Sequence, residues 1–425
     1  MPAVEAFLRR PAFDPAAERA AAAVLADIRR RGLPAVLAAA RRFDGAVLTP
    51  ATLRVSAAEC EAAARQVAPS VRRAIDAASR RVAAFARAGL RRDWTMPAGH
   101  GGRLGERFAP LDRVGIYVPG GTAPLASTAV MTATLAAVAG VREIVACTPC
   151  GPSSRVAPAL LYALRRAGAT EICRVGGIQA VGLMAFGAGR VRPVQKIVGP
   201  GNAYVTAAKR QVFGAVAIDQ VAGPSEIAVL ADRSANPAWV AADLLSQAEH
   251  GSGHERALLA TDSAALARRV RTELDRQIPR LSRAAHVRRV LARGGILLAV
   301  APTLDAAAAL CGRFAPEHLE LLVRRPRRLL PKIGAAGAVF LGPWTPEAAG
   351  DFAAGPSHVL PTGGAARMFS GLTADDFRRR SSVIEFTRAD LAACRRTISA
   401  FAAIEGLDAH GRSAAIRFEK GNAPR

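Results

Sequence analysis

The chain has 425 residues, 51% apolar, 22% charged and 5% aromatic, and its 58 basic against 34 acidic side chains give a formal charge of +24. That apolar share fills two or three cores and excludes global disorder, while 38 Gly and 27 Pro without a fixed period and only six Cys exclude collagen-like and disulfide-scaffold classes. The basic excess is almost all arginine, scattered as Arg29-Arg30-Arg31, Arg41-Arg42 and Arg80-Arg81 with few aromatics to stack on bases, so no specific nucleic-acid partner is expected.

The N-terminal residues contain no apolar run of signal-peptide length, and a cytoplasmic protein is the expectation. From Pro15 to about Gly89, apolar residues such as Val24, Ile28 and Val36 recur at helical spacing in an alanine-rich background. The uncharged stretch between Arg113 and Arg142 is long enough to span a bilayer, but Pro119-Gly120-Gly121-Thr122 and Pro124 interrupt it. A buried strand Val114–Val118, a glycine turn and a helix Ala126–Ala139 account for it instead, and no membrane partner is expected. Strand–helix pairs follow in series. The strand at 143–147 precedes a helix beginning near Val156, 171–175 leads to 177–186, and 194–198 leads through Gly199-Pro200-Gly201-Asn202 to 203–212. Farther on, 227–231 precedes 239–250, 257–260 precedes 263–274, and 296–300 precedes 304–311. This alternation predicts an α/β fold with two Rossmann-like parallel-sheet domains. Beyond about Arg367 it stops, leaving a helical tail without a core of its own.

Several short patterns carry chemistry. Cys147-Thr-Pro-Cys150 has no second cysteine pair at metal spacing, so it reads as a buried strand end and a loop thiol. Gly120-Gly121, Gly176-Gly177 and Gly199-Pro-Gly201 each sit on a strand-to-helix turn, where free peptide N–H groups favour anions. Together they make a phosphate or dinucleotide crevice, without the usual G-x-G-x-x-G fingerprint. Gln247 and His250 share a helical face at i, i+3. Glu317-His318, Asp351, His358, Glu405 and His410 add further candidate ligands or acid–base groups, and spacing alone leaves a metal site and a structural role both open. His100, His254 and His286 carry no such company.

The longer motifs are Arg113–Thr122, Gly176–Gln179, Val198–Tyr204, Ala222–Glu226, Asp243–His250, Phe314–Glu320, Gly350–Thr362 with Gly371-Leu372, and Glu405–His410. In this order they resemble the histidinol dehydrogenases, over roughly residues 20–417. The resemblance implies oxidation of L-histidinol to L-histidine through the aldehyde, the last steps of histidine biosynthesis, using NAD and zinc (Zn2+). It also implies a homodimer with an intertwined tail and shared active sites. The expected partition is an N-terminal helical segment, 1–113, packing with the second α/β domain; an NAD-side α/β domain, 114–225; a zinc-bearing catalytic α/β domain, 226–367; and a dimer-swapped tail, 368–425.

Carried over by residue, the resemblance assigns zinc to Gln247, His250, Asp351 and His410. It assigns acid–base work to His318, as base for the alcohol proton, and to Glu317, which would activate the water that adds to the aldehyde. Ser225, His358 and Glu405 would contact substrate beside the zinc ligands and His318, with Glu405 and His410 coming from the partner subunit. Tyr117, Gln179 and Asn202 would contact NAD. Gln195, Ala207, Gln220, Ser357 and Cys150 depart from the family's usual residues, and none of these departures removes a proposed ligand or catalytic group. The alternative is a paralogous zinc- and NAD-dependent dehydrogenase for another small polar alcohol.

Overall fold

The computed structural model describes residues 2–9, 14–120, 124–250 and 252–419. The chain divides into two units, residues 1–89 with 111–377 and residues 90–110 with 378–425.

The first unit begins with α1 (Pro2–Leu8), α2 (Pro15–Arg31), α3 (Leu33–Asp44), α4 (Ala57–Gln66) and α5 (Pro69–Gly89). Side-chain caps set two of the starts. Asp14 accepts from the Ala16 N–H, and Ser56 forms a reciprocal capping box with Glu59. The next strands, β1 (Trp94–Pro97) and β2 (Arg103–Pro110), belong to the second unit.

The first parallel sheet is then laid down as β3 (Arg113–Tyr117), α6 (Ala126–Ala139), β4 (Glu143–Cys147), α7 (Pro158–Ala167), β5 (Glu171–Cys173), α8 (Gly177–Phe186), β6 (Lys196–Val198), α9 (Ala203–Val212) and β7 (Ala217–Ile218). Its order is β5-β4-β3-β6-β7, and every pairing is parallel. Among the described residues no helix is long and apolar enough to cross a membrane. The apolar stretch after Arg113 is therefore strand β3 and the buried helix α6, as its prolines and glycines predict.

The second sheet comes from β8 (Glu226–Ala231), α10 (Pro237–Ala248), β9 (Arg256–Thr261), α11 (Ala264–Gln277), α12 (Ala284–Ala292), β10 (Ile296–Val300), α13 (Leu304–Phe314), β11 (His318–Leu322), α14 (Pro326–Leu329) and β12 (Ala338–Leu341). The order β10-β9-β8-β11-β12 repeats the topology of the first sheet. Ile227, Val229 and Leu259 face one apolar cluster with α10 and α11, and Ala228, Leu230 and Leu258 face another with α13. A short helix, α15 (Glu347–Phe352), follows.

Helices α2 to α5 do not pack as expected from the partition above. They lie on α6, α7, α8 and α9 of the first sheet, while α1 reaches the second through Phe7 against Phe314. At the α2–α8 contact Gly182 lacks a side chain, and Ile28 of α2 approaches so closely that a β-carbon there would clash.

The second unit pairs β1 with β2 and β2 with β13 (Arg378–Glu385) in an antiparallel sheet, followed by α16 (Arg388–Glu405) and α17 (Asp408–Ala415). The tail is thus not wholly helical. β13 begins Arg-Arg-Arg-Ser-Ser, without apolar alternation, and its strand character comes from register with β2, with Arg378 opposite Pro110 and Glu385 opposite Arg103. Charged side chains suit an edge strand. Asp390 joins the parts of this unit: its carboxylate accepts from the N–H groups of His100, Gly102 and Thr387 and closes a capping box on α16. Asp390→Ala is expected to lower the melting temperature by a few degrees, and Asp390→Asn by less because one oxygen still accepts. A thermal unfolding curve unchanged in both variants contradicts this reading.

Candidate active site

β11 is buried along its whole length although two of its five residues are His318 and Glu320. Strand alternation puts those two on one face, while Leu319 and Leu321 enter the apolar cluster around Phe314. Glu317, just before the strand, accepts from the Glu226 N–H at 3.0 Å. His318 Nδ1 lies 3.3 Å from the Glu226 carbonyl, which can only accept, so that nitrogen carries a proton. The same nitrogen is 3.8 Å from Glu317 Oε2, and Nε2 is 3.5 Å from Asp351 Oδ1.

These contacts perturb every group. Burial drives the Glu317 carboxyl up to about 8, against the pull of His318. Burial disfavours the His318 imidazolium, but the carboxylates of Glu317 and Asp351 outweigh it and lift the ring to about 9. Burial would also raise Asp351, yet His318 and His358 hold it well below the usual carboxylate range. Burial, reinforced by the Asp351 charge, takes Glu347 up to about 7.

The supports come from several elements. Glu347 and Asp351 stand at i, i+4 on α15. His358 places Nδ1 3.1 Å from the Asp351 carbonyl and Nε2 3.2 Å from Thr128 Oγ1 on α6. Gln247, wholly buried near the end of α10, donates from Nε2 to Glu347 Oε1 at 2.9 Å. His250, exposed just past that helix, has Nδ1 3.2 Å from the Gln247 carbonyl. Ser225, half-buried, immediately precedes β8 and Glu226. The fold thus gathers Glu317, His318, Asp351 and His358, with Gln247 joined through Glu347. Glu405 ends α16 and His410 lies on α17, both exposed and both in the second unit.

Donor atoms of His318, Glu347 and Asp351 lie within 4.8 Å of one another. Gln247 Oε1 is buried without a hydrogen-bond partner, and His318 Nε2 and Asp351 Oδ1, 3.5 Å apart, have no partner besides each other. Such orphaned atoms are costly unless something else engages them, and a mixed nitrogen and oxygen donor set is one that zinc accepts. The residues present fit the implied metal. Glu347 and Glu320 were not anticipated; the one signal for Glu347 was its helical spacing from Asp351.

A second site lies at the carboxyl ends of the first sheet, where the strand order reverses and α/β sheets hold nucleotides. A cleft of about 530 Å³ is lined there by Phe43, Asp44, Tyr117, Pro149, Gly177 and Asn202, among others. The Tyr117 hydroxyl accepts from the Gly177 N–H at 3.2 Å, and burial pushes its pKa up to about 12. Gln179, buried beside the cleft, donates to Asp44 at 2.9 Å. Asn202 caps α9, accepting from the N–H groups of Tyr204 and Val205, both at 3.1 Å. The preceding turn is held from both sides. The Gly199 N–H donates to Asp219 at 2.8 Å, and its carbonyl accepts from Lys209 at 2.8 Å. Lys209 and Asp219 are themselves a buried ion pair. Gly199 has φ +117°, which a side chain would strain. Gly121 and Thr122 of the other turn lie outside the described residues. The Cys147 thiol is buried at the end of β4, while Cys150 lines the cleft.

Residues 8–418 match the family model of histidinol dehydrogenase. Histidinol dehydrogenase from Heliobacterium mobile is 47% identical over 399 residues, covering 94% of this chain and 93% of that protein. The enzyme from Caulobacter vibrioides is 46% identical over 423 residues, covering 99% and 97%. The crystal structure of histidinol dehydrogenase from Elizabethkingia anophelis superposes with a TM-score of 0.94 at 35% identity, covering 100% of this chain and 97% of that one. The chain belongs to the histidinol dehydrogenase family.

Proposed function

We propose that this chain oxidises L-histidinol to L-histidine through the aldehyde, with two molecules of NAD and with zinc, in the final steps of histidine biosynthesis. The observation that carries the reading is the buried Glu317–His318–Asp351 cluster with its orphaned donor atoms, in a chain of this family. NAD, when bound, accepts the hydride that leaves the carbinol carbon at each oxidation. Zinc, when bound, supplies a fixed positive charge that anchors the nitrogen donors of the substrate, and Gln247, His250, Asp351 and His410 would hold it.

The chain's own groups do the proton work. His318, in the neutral form that it reaches as the pH rises toward about 9, takes the hydroxyl proton as the first C–H bond breaks, and Asp351 beside it stabilises the imidazolium that results. Glu317, as the carboxylate, takes a proton from the water that adds to the aldehyde carbon while the His318 imidazolium returns its proton to the aldehyde oxygen, forming the hydrate from which the second hydride leaves. Its Oε2 is fixed by the Glu226 N–H, which keeps the carboxylate aimed during both steps. His358 and Ser225 border this centre and would contact the substrate, and Glu405 would meet its ammonium group. Tyr117, Gln179 and Asn202 would line or brace the NAD cleft.

The tail supports a homodimer in which Glu405 and His410 complete the partner's site. α16 buries only Asp390 and Ala402 of its eighteen residues, while Phe401, Ile404 and Leu407 are 58%, 80% and 39% exposed. An apolar face of that kind fits coverage by a second copy.

The test is the NADH formed per L-histidinol consumed, with and without a chelator. Two NADH, abolished by chelation and restored by zinc, are expected; no NADH from folded, zinc-loaded protein contradicts the reading and favours another small polar alcohol. Glu317→Gln is expected to spare oxidation of the alcohol more than formation of the acid, by about 10- to 100-fold in relative rate. Equal loss of both half-reactions contradicts the role given to Glu317. His410→Ala is expected to lower zinc content together with rate, and full zinc content in that variant removes His410 from the ligand set.

A further inference from the structure

The side chain of Gln247 presents a choice that its own chemistry leaves open. An amide can turn either its oxygen or its NH2 toward a given point, and only the oxygen can ligate a cation. The neighbour that decides is Glu347, whose Oε1 accepts from Gln247 Nε2 at 2.9 Å. With Glu347 accepting at this contact, the amide NH2 faces Glu347 and Oε1 faces away. That oxygen is buried and unpartnered.

Glu347 is itself held in place. Its Oε2 accepts from Ser246 Oγ at 2.9 Å, and its backbone N–H donates to Glu320 at 2.6 Å. Each carboxylate oxygen therefore already bonds a side chain of α10, and the backbone is tied to the strand that carries His318. Although Glu347 stands within 4.8 Å of the donor atoms of His318 and Asp351, its two oxygens are engaged in orienting α10.

We propose that Glu347 is a positioning residue that locks the Gln247 amide with its oxygen toward the metal, rather than a metal ligand in its own right. This rests on the zinc-site reading given above. Groups that orient metal ligands from behind contribute about 10- to 100-fold to metal affinity.

A double-mutant cycle tests it on the full-length protein, with zinc alone titrated against a chromophoric chelator and no turnover measured. Gln247→Ala and Glu347→Ala are each expected to weaken zinc binding by about 10- to 100-fold. The double variant is expected to bind within about twofold of Gln247→Ala, since Glu347 has nothing left to orient. Glu347→Gln is expected to recover most of the affinity, because the new carbonyl can accept from the same NH2. Where Glu347→Ala does not fold, the cycle is run with Glu347→Leu, which fills the space and removes both acceptors, with the same requirement that its loss vanish in the Gln247→Ala background. Losses that multiply in the double variant overturn the proposal and make Glu347 a ligand, leaving the zinc site standing. An unchanged affinity in Gln247→Ala overturns the proposal by removing Gln247 from the ligand set itself.

Discussion

The peptide groups of a single residue, Glu226, bind both members of the Glu317–His318 pair, the N–H to the carboxylate and the carbonyl to the imidazole. This double contact is made where β8 and β11 run side by side, so the register of the second sheet determines the geometry of the site. Around it the interior holds His318, Glu320 and Glu347 almost fully buried, with Asp351 at the edge. Burying that many ionisable groups is expensive unless each is paired or engaged by a cation. The hydrogen bonds account for most of the atoms. Among those without a hydrogen bond, Gln247 Oε1, His318 Nε2 and Asp351 Oδ1 come from three separate elements.

The two sheets share a strand order and put it to different uses. The first has its cleft at the carboxyl ends of the strands, where peptide N–H groups and helix starts converge. The second places Ser225, Glu317 and His318 at the amino ends of β8 and β11, the opposite edge from the usual ligand crevice. The loop before a strand then supplies the acid–base pair, and α15 supplies the carboxylate that faces it.

The sheet strands β3 to β6 and β8 to β10 were legible because each is a short apolar run followed by helical periodicity, whereas the two-residue β7 carries no such run. Gly177–Phe186, Ala203–Val212 and Ile296–Val300 stand where spacing puts them. β11 was not legible, because His-Leu-Glu-Leu-Leu mixes charge into a central strand and the burial of that charge is a tertiary event. β13 was hidden for a different reason: its pairing with β2 joins segments more than 250 residues apart and leaves no local signal, while the β1–β2 hairpin, though local, has no apolar alternation to announce it. At the site, motif resemblance named the groups that react. It passed over Glu347, Glu320 and Asp44, whose roles lie in bonds to other side chains. The arginine excess also has structural employment that charge counting misses: Arg113 is buried, with ion pairs to Glu143 and Glu171 at 2.5 and 2.8 Å.

The central claim is that Gln247 and Asp351, whose buried oxygens lack hydrogen-bond donors, hold zinc together with the imidazoles of His250 and His410. Zinc K-edge absorption of the loaded protein, with and without L-histidinol, tests it most directly. The account predicts a shell of nitrogen and oxygen donors at about 2.0–2.2 Å with imidazole scattering, gaining nitrogen when L-histidinol is added. A sulfur shell near about 2.3 Å, or a spectrum indifferent to substrate, contradicts it.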